Sequence, residues 1–377
     1  MKKLRLGVIF GSRSVEHEVS VITAVQLMKN VDRTKYDVVP VYIDKNGRWL
    51  TGPKLEFIET YRNLDLVQKN EAYPLLASPD IKLLARSSSE AQQSLGSLDA
   101  AIICCHGTLG EDGTVQGLLE LANIPYQGPG VLGSAVCMDK IITKQVLASA
   151  RLPILPYEWF TAKDWKEHKQ DVLKKLLSHS YPLYVKPANL GSSVGITKAT
   201  DQKSLLYAIE VALHFDRRVV VEEEAPDCIE LNVSVLGFQD LKASVLEQPV
   251  KHDEILSYAD KYQRGGGKKS GMASLDRRIP APVSPTLSAK VQEAAKTAFT
   301  YCDCSGVVRI DFFANPTTEE FWINEINTIP GSMSFYLWQA SGMPYSKLID
   351  ELVRVALERK KTQEGWTRSI ATNILKK

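Results

Sequence analysis

The sequence predicts an α/β amino-terminal unit built on a parallel sheet, followed by an α+β region that ends in an antiparallel hairpin. Near the amino terminus, apolar runs of strand length alternate with helical patterns, as in Leu4–Phe10 followed by Val15–Asn30. This alternation is typical of parallel strands wrapped by helices, with ligands at the carboxyl ends of the strands. Later strand patterns are longer, and two of them flank the turn Asn315–Thr318, which favours antiparallel pairing.

The amino-terminal unit continues in the same rhythm. Asp37–Ile43 and Ala100–Cys105 are predicted strands, and Gly113–Ala122 is a predicted helix. After a Gly/Pro-rich connection, a single helix is predicted over Ser134–Ala150, with Ser134 as its N-cap.

We predict three domains, namely an amino-terminal α/β domain over 1–133, a central domain over 134–225 and a carboxy-terminal domain over 226–377. The remaining predicted elements are the strands Leu183–Lys186, Val219–Glu222, Leu231–Leu236 and Lys242–Leu246 and the helix Ser288–Tyr301.

Composition excludes several classes of protein. The chain has 377 residues, 44% hydrophobic and 24% charged, with a net charge of +2. No strong field therefore draws it to nucleic acid or to an anionic membrane, and no apolar run approaches the roughly 20 residues that span a bilayer. The six cysteines contain no C-x-x-C pair, which favours reduced thiols in a cytoplasmic protein. A redox or metal fragment at Cys302 and Cys304 is the less favoured alternative.

The most informative constellation lies on the predicted hairpin. Strand side chains alternate between faces, so Arg309 shares a face with Asp311 on one strand, and Glu325 shares a face with Asn327 on the other. If the register places Asp311 beside Glu325, three oxygen ligands meet with an arginine alongside. Two carboxylates and an amide at one partly buried point favour a hard cation such as Mg²⁺. The alternative is a surface hairpin whose acids pair with lysines.

Three other segments have side chains suited to a nucleotide or an amino acid. Lys186 precedes the loop Gly191–Gly195, where backbone amides and one ammonium can hold phosphates, although the order of a Walker loop is absent. The acidic run Glu222–Glu224 and Glu230 can accept from an adenine amino group and ribose hydroxyls. Glu16, which leads into the first helix, can hold a substrate ammonium. Taken singly, these segments are also compatible with flexible loops or a solvated acidic run.

Taken together in chain order, these elements resemble the D-alanine–D-alanine ligases of the ATP-grasp superfamily over most of the chain. The motifs that carry the resemblance are Glu16–Ser20, His106-Gly107, Gly110–Gly113, Met138–Lys140, Val185–Pro187, Gly191–Gly195, Tyr258–Tyr262, Arg309–Asp311 and Glu325–Gly331. The resemblance implies an ATP-grasp fold preceded by an amino-terminal parallel-sheet (preATP-grasp) domain. It also implies ATP-dependent ligation of two D-alanines through an acyl phosphate, for peptidoglycan synthesis.

The resemblance also implies a role for each site residue. Glu16 would bind the ammonium group of the first D-alanine. Ser192 and Tyr262 would join Glu16 in a hydrogen-bonded set that fixes the lid. Arg309 and the Gly331 backbone would stabilise the tetrahedral intermediate. The residues expected to bind ATP are Lys140, Lys186, Ser193, Glu222, Glu223, Ala225, Glu230, Lys261 and Asn324. Those expected to bind two Mg²⁺ ions, or Mn²⁺ in their place, are Asp311, Glu325 and Asn327.

Two segments depart from the family pattern. The lid after Tyr262 carries the unusual run Arg264–Lys269, which is typical of a mobile flap. The stretch after Gly331 is shorter than usual, so Ser334 is the best candidate to hold the second substrate's carboxylate and Tyr336 the next. His106 either lies near the second substrate or is a satisfied histidine beside a tight turn.

The second substrate and the partners follow from the same resemblance. Tyr262 favours an amino acid over a hydroxy acid, so a dipeptide is expected, and a ligase for D-lactate, D-serine or another second substrate is the alternative. A catalytically silent nucleotide-binding protein is disfavoured, because the metal ligands and Arg309 are all present. We expect D-alanine and ATP as partners, with no nucleic acid and no membrane, and a cytoplasmic homodimer.

Overall fold

The computed structural model describes residues 2–62, 73–74, 84–86, 92–94, 97–250 and 277–367. Its helices are His17–Asn30, Thr114–Leu121, Val131–Met138, Lys140–Ser149, Ala162–Glu167, Lys169–Leu176, Gln202–Phe215, Pro285–Tyr301, Phe335–Ala340 and Tyr345–Glu364. Short 3₁₀ helices occur at Pro53–Glu56, Ile58–Arg62 and Gly331–Ser334.

The first sheet is parallel at its centre, as predicted. Its strands lie in the order Tyr73–Pro74, Trp49–Thr51, Tyr36–Ile43, Leu4–Gly11 and Ala100–Ile103. The Leu4–Gly11 strand pairs in parallel with both of its neighbours, and the Trp49–Thr51 and Tyr73–Pro74 strands add antiparallel pairs at one edge. Parallel strands end at one edge, so the segments that carry Glu16 and His106 leave the sheet side by side.

The second sheet is antiparallel and belongs to the middle of the chain. Its strands lie in the order Thr197–Ala199, Leu183–Pro187, Arg218–Glu223 and Tyr157–Thr161. The helix Gln202–Phe215 begins with a capping box at Asp201 and packs its apolar side against this sheet. The predicted strands Leu183–Lys186 and Val219–Glu222 are confirmed to within one residue.

The third sheet is also antiparallel and contains the predicted hairpin. Its strands lie in the order Lys242–Ala243, Ile229–Gly237, Gly306–Ala314 and Phe321–Asn327. The helix Pro285–Tyr301 covers the face on which Val308, Ile310 and Phe312 are buried. Two small ladders complete the strands, Gln248–Pro249 with Arg277–Arg278 and Leu84–Arg86 with Gln92–Ser94.

The single helix predicted over Ser134–Ala150 is wrong. The chain instead forms Val131–Met138 and Lys140–Ser149, and Asp139 separates them with φ −92° and ψ 106°. The Asp139 carboxylate accepts from the backbone N–H groups of Ile141 and Ile142, so it is the N-cap of the second helix. Ser134 lies inside the first helix. The break places Lys140 at the first position of a new helix.

The carboxy-terminal helix Tyr345–Glu364 returns to the amino-terminal part of the molecule. Its buried side chains Leu348, Ile349 and Leu352 belong to the same apolar core as the first sheet. Among the residues that the structure describes, no helix combines the length and apolar character that crossing a bilayer requires.

The Val131–Met138 helix lies close to the loop after Pro285–Tyr301, which gives a stability prediction. A Cβ at Gly133 would lie 2.3 Å from the Asp303 backbone oxygen. We expect Gly133→Ala to lower the free energy of unfolding by about 1–3 kcal/mol, measured by urea unfolding. Gly117→Ala is the control, because its Cβ would meet nothing nearer than 3.9 Å and helix propensity favours alanine. Equal stability of the two variants would contradict the proposed close contact.

Candidate active site

The three sheets surround a cavity of about 420 Å³. Most of the predicted site residues line it, namely Glu16, Lys186, Ser192, Ser193, Glu222, Glu223, Ala225, Glu230, Arg309, Asp311, Asn324, Glu325, Asn327 and Gly331. Lys140 and Ser334 do not line the cavity wall. Lys261 and Tyr262 lie outside the described residues.

The hairpin register brings the predicted metal ligands together. Asp311 pairs with Glu325, and Arg309 pairs with Asn327, across the two strands. The Arg309 guanidinium donates to both Asp311 oxygens, at 2.6 and 2.7 Å, and the Asn327 amide donates to Asp311 Oδ2 at 3.0 Å. Because directly opposed residues share a face, the two carboxylates, the amide and the arginine meet as predicted.

Burial makes this corner unfavourable for two negative charges. Burial raises the pKa of Asp311 to about 6, Arg309 acts against that shift, and Glu325 adds to it. Within the described ranges, no group of three or more His, Cys, Asp or Glu side chains has metal-ligand spacing. The oxygen donors at this corner are instead two carboxylates and one amide. A small hard cation relieves the repulsion with such a donor set.

The predicted lysines lie beside this corner. Lys186 Nζ donates to Glu222 Oε2 at 2.7 Å and to Asn324 Oδ1 at 3.3 Å. Lys140 Nζ donates to the Leu190 carbonyl at the start of the Gly/Ser loop. Burial lowers the pKa of Lys140, which Glu325 partly offsets. Lys186 therefore lines the cavity directly, whereas Lys140 is held by the loop beside it.

Lys144 is a buried cation that the sequence analysis missed. Its Nζ lies 3.3 Å from Glu222 Oε1, and 5.3 Å from the centroid of the Tyr157 ring. Burial alone would raise the pKa of Glu222, but Lys144 and Lys186 outweigh it and lower the pKa to about 2. The available signal was its position four residues after Lys140, which places both side chains on one side of a helix.

Glu16 lines the cavity beside the Gly/Ser loop. It accepts from the Ser192 hydroxyl, as predicted for the set that fixes the lid. A Cβ at Gly107 or at Gly191 would lie 2.5 or 2.9 Å from Glu16 Oε2, so both glycines are needed for this close approach. Gly107 also has φ +69°, a conformation that glycine adopts without strain.

Glu111 belongs to a motif noted in the sequence but was not predicted to be a site residue. Its carboxylate accepts from the backbone N–H groups of Gly107, at 2.8 Å, and Ile329, at 2.9 Å. Burial and the nearby Glu16 raise the pKa of Glu111 to about 8. It thus joins the turn after the first sheet to the segment that leads into Gly331.

His106 and its neighbours reinforce that connection. His106 Nε2 lies 2.9 Å from Thr23 Oγ1, and the same hydroxyl oxygen accepts from the Ser332 N–H at 3.2 Å. Burial lowers the pKa of His106 to about 4, so the ring is neutral. This geometry matches the satisfied histidine that the sequence analysis left open.

Ser334 and Tyr336, the two candidates to hold the second substrate's carboxylate, have different surroundings. Ser334 is fully buried, and its hydroxyl oxygen has no hydrogen-bond partner among the described residues. The Tyr336 ring centroid lies 4.0 Å from the Arg277 guanidinium carbon, and burial and Glu247 raise the pKa of Tyr336.

The cysteines form no disulfide. All six are free thiols, and Cys137 Sγ lies 3.7 Å from Cys304 Sγ in a buried position.

Family models match both parts of the chain. Residues 5–129 match the model described as the D-ala D-ala ligase N-terminus, and residues 146–354 match that of the D-ala D-ala ligase C-terminus. The chain is similar to the D-alanine–D-alanine ligase of Thermosipho melanesiensis, with 39% identity over 375 residues, 99% of this chain and 98% of that protein. It is also similar to that of Ruminiclostridium cellulolyticum, with 40% identity over 387 residues, 98% of this chain and all of that protein.

Solved structures give the same result. The D-alanine–D-alanine ligase from Coxiella burnetii has a TM-score of 0.81 and 31% identity, covering 97% of both chains. The VanG D-Ala:D-Ser ligase from Enterococcus faecalis has a TM-score of 0.80 and 29% identity, covering 94% of this chain and 100% of that one. The Bacillus anthracis D-alanine–D-alanine ligase complexed with ATP has a TM-score of 0.68 and 25% identity, covering 96% and 99%.

The raised pKa of Glu111 predicts a pH dependence of stability. A carboxyl whose pKa is higher when folded contributes stability below its unfolded pKa, and that contribution is lost as the pH rises through the folded value. Between about pH 5 and 8, wild type should therefore lose stability relative to Glu111→Gln, which stays neutral, by on the order of 3 kcal/mol.

Urea unfolding at several pH values measures this difference. Glu210→Gln, at an exposed position of the Gln202–Phe215 helix, is the matched control and should show no such trend. A Glu111→Gln difference that stayed constant across this pH range would contradict the assignment.

Proposed function

The chain belongs to the D-alanine–D-alanine ligase family, and we propose that its cavity joins two D-alanine molecules to D-alanyl-D-alanine, with ATP as the phosphoryl donor. Its combined α/β and α+β architecture is that of the ATP-grasp ligases, with a parallel-sheet domain at the amino terminus. The product is a precursor for peptidoglycan synthesis, as the family implies. We also propose the three domains 1–133, 134–225 and 226–377, each of which contains one main sheet.

The observation that carries the proposal is that cationic and acidic side chains line the same cavity in distinct pairings. Lys186 lies beside Asn324, and the acids Asp311 and Glu325 form the adjacent corner. Glu16 lies at the Gly/Ser loop, where it accepts from Ser192. This arrangement suits phosphates beside the lysine, cations at the acid corner and a substrate ammonium at Glu16.

The acid corner fits the divalent cations that the family implies. We propose that Asp311, Glu325 and Asn327 hold two Mg²⁺ ions, or Mn²⁺, because their side chains meet at one corner and offer oxygen donors, and because burial and Glu325 raise the pKa of Asp311 despite Arg309. Bound there, the ions would neutralise charge on the phosphate oxygens. Arg309 would release one Asp311 oxygen to them, while its guanidinium stays beside the reacting group.

Residues in and near the cavity wall have side chains suited to binding the nucleotide. We propose that Lys140, Lys186 and the Ser193 segment contact the phosphates, and that Asn324 orients Lys186. The adenine and ribose would lie against Glu222, Glu223, Ala225 and Glu230, at the end of the Arg218–Glu223 strand. Lys261 remains a predicted ATP ligand outside the described residues.

The first step would be phosphoryl transfer to the first substrate. Glu16 would hold the ammonium of the first D-alanine, so that its carboxylate points toward the acid corner. A carboxylate oxygen attacks the terminal phosphorus, the bond from that phosphorus to the bridging oxygen breaks, and ADP leaves. The protein contributes position and charge neutralisation, as is general for phosphoryl transfer.

The second step would form the peptide bond. The amine of the second D-alanine attacks the acyl carbon, and the carbon–oxygen bond to phosphate then breaks. Arg309 and the Gly331 backbone would stabilise the negative oxygen that develops between these events. The proposed link of Tyr262 with Glu16 and Ser192 would come from the segment outside the described residues. Ser334 or Tyr336 would hold the second carboxylate.

Two alternative functions make different predictions. A ligase for D-lactate, D-serine or another second substrate would share the ATP and metal residues. The similarity to a D-Ala:D-Ser ligase makes D-serine one of the alternative second substrates to test. A silent nucleotide-binding protein would bind ATP without turnover. The proposed homodimer and the cytoplasmic location stay predictions, the latter favoured by six free thiols.

An assay with D-alanine, ATP and Mg²⁺ tests the activity directly. We expect phosphate release and D-alanyl-D-alanine identified by mass, with less product when D-serine or D-lactate is offered as the second substrate. Phosphate release with another amino acid but not with D-alanine would contradict the substrate assignment.

Glu325→Gln tests the metal assignment. It removes one of the paired carboxylates, so we expect ligation to fall by about 100-fold or more with the fold unchanged by circular dichroism. Glu320→Gln is the control on the same hairpin, because Glu320 is exposed in its turn and should retain activity. Near-normal ligation by Glu325→Gln would refute the metal site.

A further inference from the structure

A buried acid that the proposed chemistry does not use, Glu247, lines the same cavity. Its backbone N–H donates to the Asn232 carbonyl at 2.9 Å, and its carbonyl accepts from the Asn232 N–H at 2.8 Å. It therefore lies beside the Ile229–Gly237 strand, on the side away from the Gly306–Ala314 strand that carries Asp311.

Glu247 continues the row of side chains that forms the acid corner. Asn232 is paired with Glu247 on one side and with Asp311 on the other, and Asp311 is paired with Glu325. Directly opposed residues share a face, so all four side chains point to the cavity side of the sheet. Two strand spacings separate the backbones of Glu247 and Asp311, a distance of about 10 Å. The reacting carboxyl group would lie in the space between these two acids.

The two oxygens of Glu247, a residue of the cavity wall, have different surroundings. Glu247 Oε1 lies 3.3 Å from Arg277 Nη1, and the Arg277 guanidinium rests on the Tyr336 ring. Glu247 is 2% exposed, and the Tyr336 side chain interacts with its carboxylate, but among the described residues Oε2 has no hydrogen-bond partner of ordinary geometry. A buried carboxylate oxygen without a donor is unfavourable, so a ligand that donates hydrogen bonds is favoured at this point.

We propose that Glu247 binds the ammonium group of the second substrate. Arg277 and Tyr336 are positioning residues that hold the carboxylate group of Glu247 in place. This assignment rests on the proposed function and identifies the second substrate as an amine. An ammonium offers a charge-assisted hydrogen bond to Glu247 Oε2, whereas the hydroxyl of a hydroxy acid offers a weaker neutral one. Glu247 would thus select amino acids over hydroxy acids.

The test separates binding of the second amine from formation of the acyl phosphate. Wild type and Glu247→Gln are incubated as full chains with D-alanine, ATP and Mg²⁺, with and without hydroxylamine, a small nucleophile that is largely uncharged near neutral pH. We expect Glu247→Gln to lose dipeptide formation by about tenfold or more, through a higher KM for the second D-alanine. Hydroxamate formation should be unchanged, since hydroxylamine does not need an ammonium site.

The same variant should change the choice of second substrate. We expect the ratio of D-alanine to D-lactate use to fall by the same factor as dipeptide formation. Glu293→Gln, an exposed acid on the Pro285–Tyr301 helix, is the matched control and should retain both the dipeptide rate and the ratio. The double variant Glu247→Leu with Arg277→Met replaces the buried pair by apolar side chains and should also retain hydroxamate formation.

The outcomes are distinct for the two proposals. Equal loss of dipeptide and hydroxamate in both Glu247 variants would overturn the assignment of Glu247 to the second substrate, as would an unchanged dipeptide rate in Glu247→Gln. Failure of wild type to form either product from D-alanine and ATP would instead overturn the proposed function itself.

Discussion

The site depends on the antiparallel register that places Asp311 opposite Glu325. Like charges directly opposite each other on a sheet are destabilising, and burial in the cavity increases the repulsion. The register persists because the other face of the same strand buries Val308, Ile310 and Phe312 at no measurable exposure. A slip of one residue would move those side chains out of the core and the acids into it. The apolar face thus holds a charge arrangement that the polar face alone would not keep.

The part of the site nearest Gly331 is held by the amino-terminal unit. Glu111 binds the Ile329 amide, Thr23 accepts from the Ser332 amide, and Gln26 accepts from the Ser332 hydroxyl. The carboxy-terminal helix packs on the core of the first sheet as well. The segment that would stabilise developing negative charge is therefore anchored to the domain that would hold the first substrate. Movement of one relative to the other would change the distance between Glu16 and Gly331.

Several buried ions of the cavity wall have a counterpart of opposite charge. Glu222 lies between Lys144 and Lys186, and its pKa is lowered accordingly. In return, Glu222 fixes the Lys186 ammonium next to Asn324. Preorganised charges of this kind stabilise a transferring phosphoryl group without reorganisation during the reaction. Glu247 with Arg277 repeats the pattern toward the other edge of the third sheet, on the same face.

Much of this arrangement follows from local pattern. Alternation along two strands was enough to predict that Arg309 shares a face with Asp311, and Glu325 with Asn327, since side-chain direction on a strand depends on the backbone alone. The alternating elements near the amino terminus likewise predicted the parallel sheet. Local pattern failed at the helix after residue 130, because the N-cap at Asp139 outweighed a continuous apolar pattern.

The contacts between distant segments were decided by the tertiary structure alone. Nothing in the sequence around Lys144 pairs it with Glu222, and nothing near Glu111 pairs it with Ile329. The row from Glu247 through Asn232 to Asp311 needs the order of the strands in the sheet. The sequence by itself determined which side chains share a face, because that property is set by neighbouring residues. Which faces meet was decided by packing of whole sheets and helices, because burial of apolar surface, and not any single motif, brings distant segments together.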